Sequence, residues 1–109
     1  MIDKYNKLVR DKIPEIIRGR GDTPVVEILD DERYFGALNE KLTEEVAEYL
    51  ENHSIEELAD ILEVIHAIAK CKGLAMDDIE QIRRDKHSER GGFGGRVSLV
   101  EVKRKMFEV

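Results

Sequence analysis

The 109-residue sequence has no tryptophan, a single cysteine (Cys71) and only two prolines, Pro14 and Pro24. One cysteine excludes an internal disulfide framework, and Cys71 reads as a plain helix-end residue. No apolar run approaches the roughly 20 residues that a membrane-spanning helix needs. The opening Met1-Ile-Asp-Lys lacks the apolar core of a signal peptide. A cytoplasmic protein without membrane attachment is expected. Low-complexity tracts, internal repeats and long linkers are also missing, so one domain over residues 1–109 is expected. Excess positive charge is missing too. A net charge of −6 argues against binding a nucleic-acid polymer through overall charge. The glycine-rich stretch at 91–95 lacks a Gly-Lys-Ser/Thr ending and is no Walker A loop.

What is present is helical patterning rich in charge. Residues 7–18 read as a lead-in followed by a short helix, with Asp11 as N-cap and Pro14 in the first turn. Residues 32–52 carry Phe35, Leu38, Leu42, Val46 and Tyr49 as one apolar stripe. Ser54-Ile-Glu-Glu57 has the form of a capping box and opens a second helix that ends near Cys71-Lys-Gly73. A further helix is expected over about 77–89, capped by Asp77. Two β-branched stretches, 24–29 and 96–102, are expected to pair as a small β-hairpin. The fold class is therefore mainly α, a helical hairpin-based bundle. The second helix is apolar over more than half its circumference, so a homodimer or higher homo-oligomer is expected to complete the bundle.

Two acidic pairs flank the turn between the long helices: Glu45 with Glu48, and Glu57 with Asp60. Each pair has i, i+3 spacing and lies on one side of its helix. The positions are symmetric about the turn. An antiparallel hairpin therefore sets Glu48 level with Glu57 and Glu45 level with Asp60. Glu44, Glu56 and Glu63 project toward water on a helical wheel, whereas the four symmetric acids flank the apolar stripes. Gathering four carboxylates is costly unless a cation lies between them. Oxygen-only ligands suit Mg²⁺, with Mn²⁺ as an alternative. Pairing with lysines is the competing explanation, and Glu57 has a rival local role in completing the capping box.

The pattern Glu44-Glu45-x-x-Glu48 followed by Glu57-x-x-Asp60 resembles that of the MazG-like all-α nucleoside triphosphate pyrophosphohydrolases. Asn6-Lys-Leu-Val-Arg-Asp-Lys-Ile-Pro-Glu-Ile-Ile17 looks like the opening of a compact, single-domain house-cleaning branch of that superfamily. Lys86-His-Ser-Glu-Arg-Gly-Gly-Phe93 resembles the basic, glycine-rich end of the same branch and of phosphoribosyl-ATP pyrophosphohydrolases. The resemblance implies Mg²⁺-dependent hydrolysis of the α–β phosphoanhydride of a nucleotide, including noncanonical nucleotides, to a monophosphate and pyrophosphate. It places Glu45, Glu48, Glu57 and Asp60 on the metal ligands, with Glu45 or Glu48 as the proton acceptor. Lys41, Lys7, Arg10, Lys86 and Arg90 are the candidate phosphate-binding cations. The connection between the two acidic pairs is shorter here than in larger family members. Phe93 is expected to pack into the core rather than stack on a base.

Three other readings compete. Phosphoribosyl-ATP is an alternative substrate. A non-catalytic helical interaction module would keep the fold without the chemistry. A di-iron carboxylate bundle would use Glu63-x-x-His66, but that motif is needed twice and occurs once.

Overall fold

The computed structural model describes residues 1–106 and is all-helical over them. The helices are α1 (Ile13–Gly19), α2 (Asp31–Asn52), α3 (Ile55–Cys71) and α4 (Met76–Arg90). Among the described residues no helix is long and apolar enough to cross a membrane. The chain divides into two compact units, Met1–Met76 and a second from Asp77 onward.

In the first unit, α2 starts where its sequence supplies an anchor for free amide groups. Asp30 is extended, and its Oδ1 accepts from the Arg33 backbone N–H at 2.8 Å. Asp31 and Glu32 add negative charge to the positive end of the helix. Replacing Asp30 by Ala is expected to cost about 1 kcal/mol, measurable by thermal or urea denaturation.

The α2–α3 turn is built from two residues. His53 is left-handed (φ 56), and its backbone N–H donates to the Tyr49 carbonyl at 2.7 Å. The Tyr49 and His53 rings meet edge-on at 5.7 Å. Ser54 then returns to extended backbone and caps α3, its Oγ accepting from Glu57 N–H at 3.3 Å. The Ser54 N–H is taken by Asn52 Oδ1 at 3.2 Å. A capping box would have used the Glu57 carboxylate for that donor. With Asn52 in its place, the Glu57 side chain is released for the cleft.

So short a turn forces α2 and α3 antiparallel, and they pack against each other. Their shared core is small. Leu38, at 2% exposure, Val64 and Ala69 are its buried apolar members. Val46, Leu50, Leu58 and Leu62 on the same two helices remain exposed. At its far end α3 closes with Gly73 at φ 76, and Leu74 N–H bonds back to the Ala69 carbonyl at 2.8 Å. That is the glycine-dependent stop expected there.

Several details differ from the sequence reading. Lys12, not Asp11, is the cap residue of α1 and makes no side-chain cap bond. Its backbone is already near-helical (φ −89, ψ −4), so the extended geometry that a capping side chain needs is missing. The helix α4 begins at Met76, which places Asp77 in the first turn. Phe93 is fully exposed, not core. No strand forms among the described residues, so the β-hairpin expected from 24–29 and 96–102 is absent. Both stretches lack a covered face: Val25 is 96% exposed and Val97 90%. An isolated two-stranded ribbon without such a face is marginal in water.

Candidate metal centre

The hairpin register delivers the acids to one cleft. Glu45, Glu57 and Asp60 each offer a carboxylate oxygen within 4.8 Å of the others. Glu48 faces Glu57 beside them. Burial, then the neighbouring Glu48 and Glu45 carboxylates, raise the Glu57 pKa above the ordinary range, with Asn52 pulling the other way. Three of the four acids expected from the spacing form this cluster, and Glu48 adjoins it through Glu57.

Glu45 is the most informative of them. It is 7% exposed and stands among the buried residues with Leu38, Val64 and Ala69. Lys41, itself only 17% exposed, lies 3.4 Å from Glu45 Oε1. Lysine pairing therefore accounts for one oxygen of this carboxylate. It does not account for the other, because Glu45 Oε2 and Glu57 Oε2 are both buried without a hydrogen-bond partner. A buried acceptor left unsatisfied costs roughly 1–3 kcal/mol, more when charged. Two of them at one cluster are what an oxygen-liganded cation would satisfy. The donors are all hard oxygens, which fits Mg²⁺ or Mn²⁺.

Three cations border the acids. Arg10 Nη2 lies 2.8 Å from Asp60 Oδ1. Lys7 Nζ lies 3.1 Å from Glu44 Oε1, and Lys41 Nζ lies 3.2 Å from Glu44 Oε2. Burial alone would raise the Glu44 pKa, but hydrogen bonds from Lys7 and Lys41 outweigh it and hold the carboxyl low. Hydrogen bonding to Glu44 in turn raises Lys7, with smaller contributions from Glu48 and Glu45. Glu44, Glu45, Glu48, Glu57 and Asp60 against Lys7, Arg10 and Lys41 leave a formal excess of two negative charges, the charge of one divalent ion.

Glu44 corrects the sequence reading, which sent it to solvent. It is half-buried and bridges two lysines. Its spacing from Lys41 was visible in the sequence, but the arrival of Lys7 from 37 residues away was not. Beside the acids lies a cleft of about 220 Å³, walled by Val9, Arg10, Tyr34, Leu38, Lys41 and Val64. Glu63 lines its rim although exposed, as the wheel placed it. His66 is exposed. Lys86 and Arg90 belong to the second unit, one turn apart at the end of α4 and both exposed. Gly91 follows them at φ 83, a conformation that favours glycine, and its N–H bonds to the His87 carbonyl at 2.8 Å.

No protein-family profile matches the sequence, and no solved structure matches it. One similar sequence is an uncharacterized protein of Mycolicibacterium smegmatis. It is 60% identical over 42 residues, which cover 38% of this chain and 43% of that protein. The chain therefore spans less than half the length of the curated relative it matches.

Proposed function

We propose that this chain is a metal-dependent nucleotide pyrophosphohydrolase that cleaves the α–β phosphoanhydride of a nucleoside triphosphate. The observation that carries the proposal is the pair of buried, unpartnered oxygens on Glu45 and Glu57, clustered with Asp60 and bordered by Lys7, Arg10 and Lys41. Acids that hold a divalent ion, next to cations that meet phosphate oxygens, suit anhydride hydrolysis. The resemblance of the acidic pattern and of residues 6–17 to MazG-like enzymes points to the same reaction.

In this reading Glu45, Glu48, Glu57 and Asp60 hold Mg²⁺, with Mn²⁺ as a substitute. The ion, when bound, polarises phosphate oxygens and acidifies water. Lys41 fixes the Glu45 carboxylate in place. Glu48, which is half-buried and forms no ion pair among the described residues, accepts the proton of the attacking water. Water oxygen bonds to phosphorus, the bridging P–O bond breaks, and pyrophosphate leaves with the electron pair. Arg10 offsets charge on the departing oxygens, and Lys7, held by Glu44, anchors the segment that carries it. Lys86 and Arg90 enter this reading only through the resemblance.

The test is incubation of purified protein with canonical and modified nucleoside triphosphates, and with phosphoribosyl-ATP, in Mg²⁺ or Mn²⁺. Pyrophosphate and orthophosphate are measured separately. Pyrophosphate with a nucleoside monophosphate is expected. Orthophosphate alone would overturn α–β cleavage, and no product from any substrate would leave an interaction module.

A second copy of the chain is part of the proposal. Val46, Leu50, Leu58 and Leu62 present an uncovered apolar surface on the hairpin, and pairing two hairpins into a four-helix bundle would bury it. Sedimentation equilibrium is expected to give a dimer or larger. A monomer at micromolar concentration would remove this part of the reading.

A further inference from the structure

The segment 7–12 crosses the acidic cleft as a strap and carries two cations with different kinds of partner. Lys7 pairs with Glu44, an acid that also takes Lys41 and lies outside the group of candidate metal ligands. Arg10 pairs with Asp60, which belongs to that group. Between the two cations, Leu8 is half-buried and, with Val9, lines the cleft. One end of the strap is thus held by an acid with no other proposed task, and the other end by an acid that a metal would claim.

We infer that Arg10 and a divalent cation compete for the same Asp60 carboxylate, and that residues 7–12 work as an exchange latch pivoting at Lys7–Glu44. This rests on the metal-centre reading above. A metal claiming Asp60 frees the Arg10 guanidinium, which stays tethered beside the cleft and turns to a phosphate oxygen of the substrate. Arg10 is then both an internal stand-in for the ion and a substrate-positioning residue.

The energetics permit the exchange. The Arg10–Asp60 contact is one hydrogen bond between side chains 58% and 38% exposed. Ion pairs at such exposure are worth ~1 kcal/mol or less, little beside a divalent ion held by four carboxylates. Guanidinium also matches phosphate oxygens through its planar fork of donors, so it has a second partner to move to.

The inference is tested by Mn²⁺ titration of wild type, Arg10→Gln and Arg18→Gln, using calorimetry or the electron paramagnetic resonance of free Mn²⁺. Arg18→Gln removes the same charge from an exposed residue of α1 that forms no ion pair among the described residues. In parallel, the Arg10 Nε–H resonance of the wild type is followed during Mg²⁺ addition. Arg10→Gln is expected to bind Mn²⁺ roughly fivefold more tightly, the ratio equivalent to one such ion pair. Arg18→Gln should change affinity less than twofold, and the Arg10 resonance should shift along the Mg²⁺ binding curve. Equal or weaker binding by Arg10→Gln would overturn the latch while leaving the metal centre standing, since Arg10 would then support Asp60 instead of competing for it. An unmoved Arg10 resonance in a wild type that binds Mg²⁺ would overturn it equally. Absence of saturable Mn²⁺ binding by the wild type would remove the metal centre and the latch together.

Discussion

Exchanging Asp60 for Asn is expected to lower pyrophosphate release about a thousandfold or more if the proposed reaction holds, because a bound metal would supply several kcal/mol of transition-state stabilisation that this change removes. The substitution is close to isosteric, and Asp60 is only half-buried at the edge of the cleft. The helical signal in circular dichroism should therefore stay as it is. An amide oxygen still accepts from Arg10, so the strap keeps a partner. What is lost is the negative charge and the affinity of a hard anionic ligand for a divalent ion. Excess Mg²⁺ recovers part of the activity if the loss lies in binding. Glu56→Gln, a neighbouring exposed acid on the same helix, serves as the control and should turn over at the wild-type rate. Near-normal turnover by the Asp60 variant would sink the four-carboxylate site.

The second large effect is on stability and depends on pH. Without metal, Glu57 is raised above its ordinary value of 4.5 by burial and by the Glu48 and Glu45 carboxylates. The native state therefore holds this proton more tightly than the unfolded chain does. The stability linked to Glu57 is fully present below 4.5 and is lost as pH rises through the elevated native value. Glu44 acts in the opposite sense: its depressed value contributes stability above 4.5 that fades as pH falls through the native value. Glu57→Gln should thus melt above the wild type at pH 7 to 8 in chelator, with the gap closing as pH falls below 4.5. Saturating Mg²⁺ should reverse the order. At a hundredfold excess over Kd a ligand adds ~2.7 kcal/mol to the protein that binds it, which at roughly 4–8 °C per kcal/mol for a domain of about this size raises Tm by roughly 10–20 °C. The variant, short of one anionic ligand, should gain less. Thermal scans at pH 4, 6 and 8 with EDTA or Mg²⁺ measure all of this. A wild type indifferent to millimolar Mg²⁺ would contradict the assignment of these oxygens to a cation.

Both long helices could be read from the chain, and so could the acids between them, for one physical reason. Helical periodicity and the short turn at His53 and Ser54 are local, and together they fix which side chains share a face. Glu45, Glu48, Glu57 and Asp60 followed from spacing alone. The features that escaped are those decided by distant partners. Glu44 belongs on the solvent side of α2 by its angle, yet Lys7 reaches it across 37 positions. Glu57 had two candidate roles, and the choice was made by Asn52, which takes the Ser54 N–H that the carboxylate would otherwise accept. The stretches at 24–29 and 96–102 have β-branched composition, but composition does not supply the covered face on which a strand depends. Apolar side chains such as Leu58 and Leu62 were expected to need neighbours, and in this chain they remain exposed.

The two-residue connection at His53 and Ser54 also sets where the chain tolerates a change of length. One residue inserted within α2 between Glu45 and Glu48, or within α3 between Glu57 and Asp60, turns everything beyond it by about 100°. That swings one member of a pair away from the other, and no relaxation of side chains restores it. The same residue added between His53 and Ser54 follows the last α2 bond, made by the His53 N–H, and precedes the Ser54 cap of α3, at a loop tip where extra length is absorbed most readily. Each acidic pair keeps its own internal phase there. Length variation among natural or engineered versions of this chain should therefore concentrate at that tip, while the two four-residue acidic segments stay constant in length.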